Sequence, residues 1–180
     1  MGVTYEALGI NGATAPMILD WDEAQGFMLL SDLGQRTLMQ VLDPEDGAAN
    51  LSRFKQTLDV LLPWQQASRP GVLPDYDEAV LRRELALFPD WYLAQHRAVT
   101  LNEKQQGVLQ TAFDLIVQRN LAAPKVYVHR DFMPRNLMVA DHGAGPLGVL
   151  DFQDALYGPI TYDIASLMRD AFVSWEEEVV

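Results

Sequence analysis

A chain of 180 residues is long enough to bury a core without covalent staples, and its lack of cysteine excludes a disulfide framework, thiol catalysis and thiolate-bound zinc. A formal net charge of -12, with a sequence pI near 4.5, argues against nucleic-acid and anionic-membrane partners, whose phosphates would repel it. Met1 to Leu8 contains Glu6 and lacks the cationic start and apolar core of a signal peptide, and no apolar run has the length of a membrane span, so the expected location is cytoplasmic.

Ala15 to Leu19 and Phe27 to Leu30 are apolar runs separated by the polar turn Asp22 to Gly26, a pattern that predicts a hairpin of two short buried strands. Ser31-Asp32-Leu33-Gly34 breaks the second strand and leads into helical sequence. Leu51, Phe54, Leu58, Leu61 and Leu62 share one helical face, which Pro63 kinks or ends. Asp77 is the expected N-cap of a second helix with the stripe Val80, Leu81, Leu85 and Phe88, stopped by Pro89. Asn102, with Gln105 three residues on, opens a third helix through a capping box, its inner face formed by Val108, Ala112, Phe113 and Ile116. After Pro124 the pattern shifts to short strands at Val126–Val128, Leu137–Val139 and Gly148–Leu150, with a turn from Asp141 to Pro146. A last helix is expected from Asp163 to Phe172, followed by a solvated Glu176-Glu177-Glu178.

The polar segments around these last strands carry the chemistry. His129-Arg130-Asp131-Phe132-Met133-Pro134-Arg135-Asn136 fits the kinase catalytic-loop pattern H-R-D-x-x-x-x-N. In that pattern Asp131 accepts the proton of an attacking hydroxyl, while Asn136 offers a neutral oxygen to magnesium. Fifteen residues after Asn136, Asp151-Phe152-Gln153 closes an apolar strand and matches the aspartate that holds magnesium across the transferring phosphates. Two motifs in this order, separated by a strand-turn-strand, are far more specific than either alone. His129 reads as a buttress for backbone carbonyls rather than a proton carrier.

On these residues the chain resembles the aminoglycoside phosphotransferase and choline-kinase superfamily, relatives of protein kinases, with its HGDxxxxN, Asp-Phe and GDPxxDLA elements. Gly158 to Asp163 keeps the spacing of the third element, with Pro159-Ile160 in place of Asp-Pro and Ile164-Ala165 following. Val128 to Met138, Leu150 to Ala155 and Asp90-Trp91-Tyr92-Leu93 are similar to the bacterial branch of N-acetylmuramate/N-acetylglucosamine anomeric kinases of cell-wall recycling. Arg130 replaces the glycine common in antibiotic kinases, and Met133 stands where other members place a basic residue.

The resemblance implies an α+β, protein-kinase-like fold, with residues 1–34 as a remnant of N-lobe strands and hinge and 35–180 as a mostly helical C-lobe with short β-hairpins around the catalytic loop. It further implies ATP and Mg2+ as cofactors and a small-molecule sugar as acceptor. Asp163 would brace the catalytic loop, Asn136 and Asp151 would hold the metal and with it the nucleotide, and Ser31 and Leu33 would meet the adenine edge. Arg135 is left as the candidate cation for phosphate charge. Glu84, Trp91 and Tyr92 are candidates for the sugar site, although helical packing accounts for the aromatics equally well. An aminoglycoside or choline-like acceptor and a non-catalytic kinase-like module stand as alternatives. Gly9 and Gly12 lack the setting of a phosphate loop, and Lys55, Lys104 and Lys125 lie in helical or pre-strand sequence. The chain therefore reads as a fragment, expected to have little activity alone and to self-associate through the uncovered edge at Phe27 to Leu30.

Overall fold

Seven strands and four α-helices, joined by short 3-10 and π-helical pieces, make up the described residues, which are 15–140, 145–178 and 180 of the computed structural model. The run Met1 to Leu8 with Glu6, the glycines Gly9 and Gly12, and residues 141–144 of the expected turn lie outside them.

The expected hairpin forms from β1 (Ile18–Asp22) and β2 (Phe27–Leu30), antiparallel around a turn in which the Gly26 amide donates to the Asp22 carbonyl at 2.9 Å. Gly26 adopts φ +74 there, which a residue without Cβ does at little cost. Burial of these strands was expected and is not found: every residue of both is exposed, because among the described residues the two-stranded sheet has no third strand or second layer against it.

The other strands form two small antiparallel sheets. One has the order β3-β5-β6, from β3 (Arg36–Thr37), β5 (Leu137–Val139) and β6 (Gly148–Val149). In the other, β4 (Lys125–Val128) pairs with β7 (Leu156–Pro159) over four rungs, from Lys125↔Pro159 to Val128↔Leu156. Periodicity did not reveal β3 or β7. One is two residues long, and the other, Leu-Tyr-Gly-Pro, is written in turn residues and gains its strand geometry from its partner.

Helix α1 (Leu51–Gln66) continues through Pro63 instead of ending there. Its buried face is Phe54, Thr57, Val60, Leu61 and Trp64, while Leu51, Leu58 and Leu62 are exposed. The face is decided by Trp64, just beyond the proline, whose Nε1 donates to the Tyr127 carbonyl at 2.9 Å deep in the core. Helix α2 (Glu78–Leu87) has the expected cap, the Val80 amide donating to Asp77 Oδ1 at 2.9 Å. Pro89 does not stop the coil: a π-helical segment, Phe88–His96, follows with the proline in its first turn, where a missing N–H costs nothing, and Phe88 is exposed.

Helix α3 (Glu103–Ala122) opens with the capping box of Asn102 and Gln105. Its expected inner face is not inside, however: Val108, Ala112 and Ile116 are exposed, Phe113 is half-buried, and Val117 is the buried residue where α3 meets α2 and β7. Helix α4 (Tyr162–Met168) is shorter than predicted. Beyond it the Asp170 carboxylate accepts from the Phe172 amide at 2.7 Å and turns the chain, so that Trp175 returns edge-on to Phe54 with ring centroids 5.5 Å apart.

Strand β4 links two cores. The larger contains Phe54, Trp64, Tyr127, Phe132, Leu137 and Leu167, and the smaller contains Tyr76, Leu81, Val117 and Val128. Tyr127 and Val128 point to opposite faces and enter one core each, which clamps the strand immediately before His129.

Candidate active site

Pairing of β4 with β7 brings α4 against the first residues of the loop His129–Asn136. The His129 amide donates to Asp163 Oδ2 at 2.8 Å, and the Arg130 amide donates to Oδ1 at 3.1 Å. Asp163 is 1% exposed, and burial pushes its carboxyl up to about 7, against the two amides that favour the anion. His129 is buried as well, its ring 5.5 Å from that of Trp64 and 5.9 Å from that of Phe132. Burial lowers its pKa to about 4, so the neutral ring donates from Nε2 to the Leu150 carbonyl at 2.9 Å. One histidine thus ties the start of the loop to the residue before Asp151.

Inside the loop the Asp131 carbonyl accepts from Asn136 Nδ2 and from the Met133 amide, each at 2.9 Å, around the 3-10 turn Pro134–Asn136. The Leu150 amide donates to the Asn136 carbonyl at 2.9 Å, which sets Asp151 beside the loop, in a left-handed backbone conformation with φ +65. Gln153 Nε2 donates to Asp151 Oδ1 at 2.7 Å, and Oδ2 has no partner among the described residues. The half-buried Asp131 carboxyl is raised above the ordinary carboxylate range, first by burial and then by the Asp151 carboxylate, while Arg130 and Arg135 pull it down.

The Asp151 carboxylate and the amide oxygen of Asn136, whose Nδ2 is already engaged, are hard oxygen donors that suit magnesium. Among the described residues no three His, Cys, Asp or Glu side chains converge on one point. An ion here would rest on two protein ligands and take its others from phosphates or water, as magnesium commonly does.

The sequence profile of the phosphotransferase enzyme family matches residues 4–180. The chain belongs to that family. It is 52% identical over 166 residues to an N-acetylmuramate/N-acetylglucosamine kinase of Pseudomonas aeruginosa, covering 92% of this chain and 47% of that protein. The enzyme of the same name from Neisseria meningitidis is 47% identical, with 92% and 49% covered, so the chain spans about half the length of these relatives. Among solved structures, choline kinase LicA of Streptococcus pneumoniae superposes with a TM-score of 0.61 at 13% identity, over 97% of this chain and 54% of the other. An aminoglycoside phosphotransferase of Streptomyces rimosus, in complex with ADP and streptomycin, gives 0.61 at 16% identity, over 96% and 65%. The fold is therefore the α+β, protein-kinase-like one that these enzymes share.

Within this member of the family the remaining candidates separate. Ser31 closes the hairpin, exchanging its amide and Oγ with Met17, and the Leu33 amide makes no hydrogen bond among the described residues. The Leu33 side chain lies over Gly148, so the segment after β2 runs beside the hairpin that ends in Asp151. Arg135 is exposed, its guanidinium carbon 4.9 Å from the centre of the Phe172 ring. Trp91 and Tyr92 are exposed on the π-helical segment, and Tyr92 stacks on Phe88 at 5.5 Å. Glu84 alone of the three sugar-site candidates is hydrogen-bonded to the loop, accepting from Arg130 Nη2 at 2.7 Å. Three further residues of this neighbourhood went unread in the sequence: Tyr76, Tyr162 and Asp154. The first two bond Glu84, and the third bonds Arg130 through its carbonyl. No spacing rule links them, because they meet only after β7 docks on β4.

Proposed function

We propose that the full-length protein carrying this chain is an ATP-dependent kinase of a small sugar, whose acceptor is the anomeric hydroxyl of N-acetylmuramate or N-acetylglucosamine. The observation that carries the reading is the loop geometry: a half-buried Asp131 held beside Asn136 and Asp151 by backbone hydrogen bonds and braced from beneath by Asp163. The choice of acceptor rests on the names of the relatives at 52% and 47% identity.

In this mechanism the acceptor hydroxyl gives its proton to the Asp131 carboxylate as its oxygen attacks the terminal phosphorus, and the bond from that phosphorus to the bridging oxygen breaks, releasing ADP. The raised pKa of Asp131 brings the base closer to the working pH. Asn136 Oδ1 and Asp151 would hold magnesium, which would supply neutralisation of charge on the phosphate oxygens. Backbone groups from Ser31 to Leu33 receive the adenine edge, and exposed Arg135 is the nearby cation for phosphate charge. A protein of this kind works in the cytoplasm, where ATP is supplied.

The test is a phosphotransfer assay of the full-length protein with ATP and magnesium against N-acetylmuramate, N-acetylglucosamine, an aminoglycoside and choline. Turnover on the amino sugars, lost in Asp131→Asn, is expected. Turnover on the aminoglycoside or choline alone would refute the acceptor, and no turnover on any would refute the reaction.

A further inference from the structure

Arg130 combines two features that do not ordinarily coexist. Its backbone lies at φ +77, a region that residues with a Cβ occupy only when the surroundings hold them there. Its side chain, meanwhile, is drawn back into the protein and not into solvent: Nη2 donates to Glu84 Oε1 at 2.7 Å and Nη1 to the Asp154 carbonyl at 3.4 Å. Nε is buried with no acceptor among the described residues, so the two terminal nitrogens provide the whole anchorage.

Glu84 is itself aimed. Its second oxygen accepts from the Tyr76 hydroxyl and, at 3.4 Å, from the Tyr162 hydroxyl, and the two rings lie 5.2 Å apart. Tyr162 adjoins Asp163, which grips the Arg130 amide. The peptide before Asp131 is thus held by its backbone through Asp163 and by its side chain through Glu84, and both holds converge on α4. Asp154 lies three residues after Asp151, so the same guanidinium also reaches the segment that carries the candidate metal ligand.

We propose that Glu84 and Arg130 form a positioning pair: Glu84, oriented by Tyr76 and Tyr162, holds the arginine and through it the left-handed turn that presents Asp131 to the acceptor. The assignment rests on the phosphotransfer reading, and it takes Glu84 out of the sugar site. If the pair serves to hold a backbone conformation that arginine resists, glycine at 130, which does not resist it, makes the pair dispensable.

The experiment is steady-state kinetics and amide hydrogen exchange on the full-length protein with Glu84→Ala, and with Glu84→Ala combined with Arg130→Gly. Glu84→Ala is expected to lower kcat on the order of 10- to 100-fold, as misplacement of a reacting group does, with KM for sugar and ATP nearly unchanged. The peptide spanning His129 to Asn136 should exchange faster. Adding Arg130→Gly should recover most of the turnover and slow the exchange again. If Glu84→Ala is too unstable to purify, Glu84→Gln with and without Arg130→Gly runs the same comparison. A raised sugar KM at unchanged kcat, or a loss that glycine does not rescue, would overturn the pair and return Glu84 to the sugar site. Should the wild type phosphorylate no acceptor, the reaction reading fails separately and exchange alone decides: unaltered exchange in Glu84→Ala overturns the positioning role, whereas acceleration reversed by glycine supports it.

Discussion

Gly158 lies in the middle of β7, paired with Val126, and a Cβ built there would stand 2.6 Å from Tyr76 Cβ and 2.8 Å from its Cδ1. The first is an atom attached to backbone, and that backbone is pinned: the Tyr76 amide donates to the Tyr157 carbonyl at 2.9 Å, and the Tyr157 amide to the Pro74 carbonyl at 2.8 Å. Tyr76 is 1% exposed and has no room to retreat. Gly158→Ala should therefore cost about 3 kcal/mol of overpacking, reduced by up to about 1 kcal/mol because alanine restricts the unfolded chain, for a net loss near 2 kcal/mol. With a urea slope of roughly 2 kcal/mol/M, the unfolding midpoint should fall by about 1 M. Because Tyr76 donates to Glu84, turnover should fall with it. Gly148→Ala is the control: its nearest neighbour is Leu33 Cδ1 at 2.7 Å, the free end of a flexible side chain, with Met138 Cβ at 3.2 Å, so a loss of about 1 kcal/mol or less is expected. Equal midpoints for Gly158→Ala and the wild type would refute the claim that β7 and the 74–76 backbone are rigidly docked.

In the full-length protein Asp131→Asn should lower kcat on the order of 100- to 10,000-fold while leaving ATP affinity nearly unchanged, since the proposed base acts on the acceptor, and equilibrium nucleotide binding beside turnover checks both. Asp151→Ala should raise the magnesium requirement for nucleotide binding more than Asn136→Ala, because a carboxylate brings charge to the metal and an amide only a dipole; equal magnesium titrations in the two would contradict it. His129 and Asp163 should act on stability with opposite signs. His129, depressed to about 4 from 6.5, contributes stability that is present above about pH 6.5 and lost as pH falls through about 4, on the order of 3 kcal/mol. Asp163, raised to about 7 from 3.8, contributes stability that is full below about pH 3.8 and lost as pH rises through about 7. Between pH 4 and 6.5 the two offset each other, so unfolding titrations should show stability falling with pH in His129→Gln and rising with pH in Asp163→Asn; parallel curves would show that one of these groups is not buried as described.

What the sequence determined by itself was whatever depends on neighbours along the chain. Asp77 and the Asn102–Gln105 box cap their helices because a side chain reaches an amide three residues on, and the β1–β2 and β5–β6 hairpins follow from apolar runs broken by turns. The order His129, Asp131, Asn136, Asp151 was legible for the same reason: a loop motif is a local object with its spacing written into it. Burial was legible only in part: Phe54, Leu61 and Leu81 lie inside as their stripes predict, but most of the packing was not. The faces of α1 and α3, the exposure of the hairpin strands and the strand state of Leu156–Pro159 depend on which surface arrives opposite, and no window along the chain contains that surface. Arg130 shows the division within one residue. Sequence marks it as an arginine in a place where glycine is common, but only tertiary structure shows its backbone at φ +77 and its guanidinium on Glu84, 46 positions away. That ion pair exists because the docking of β7 on β4 carries Tyr162 and Asp163 to the loop, and a long-range pairing of that kind is decided by the assembled cores and not by any local preference.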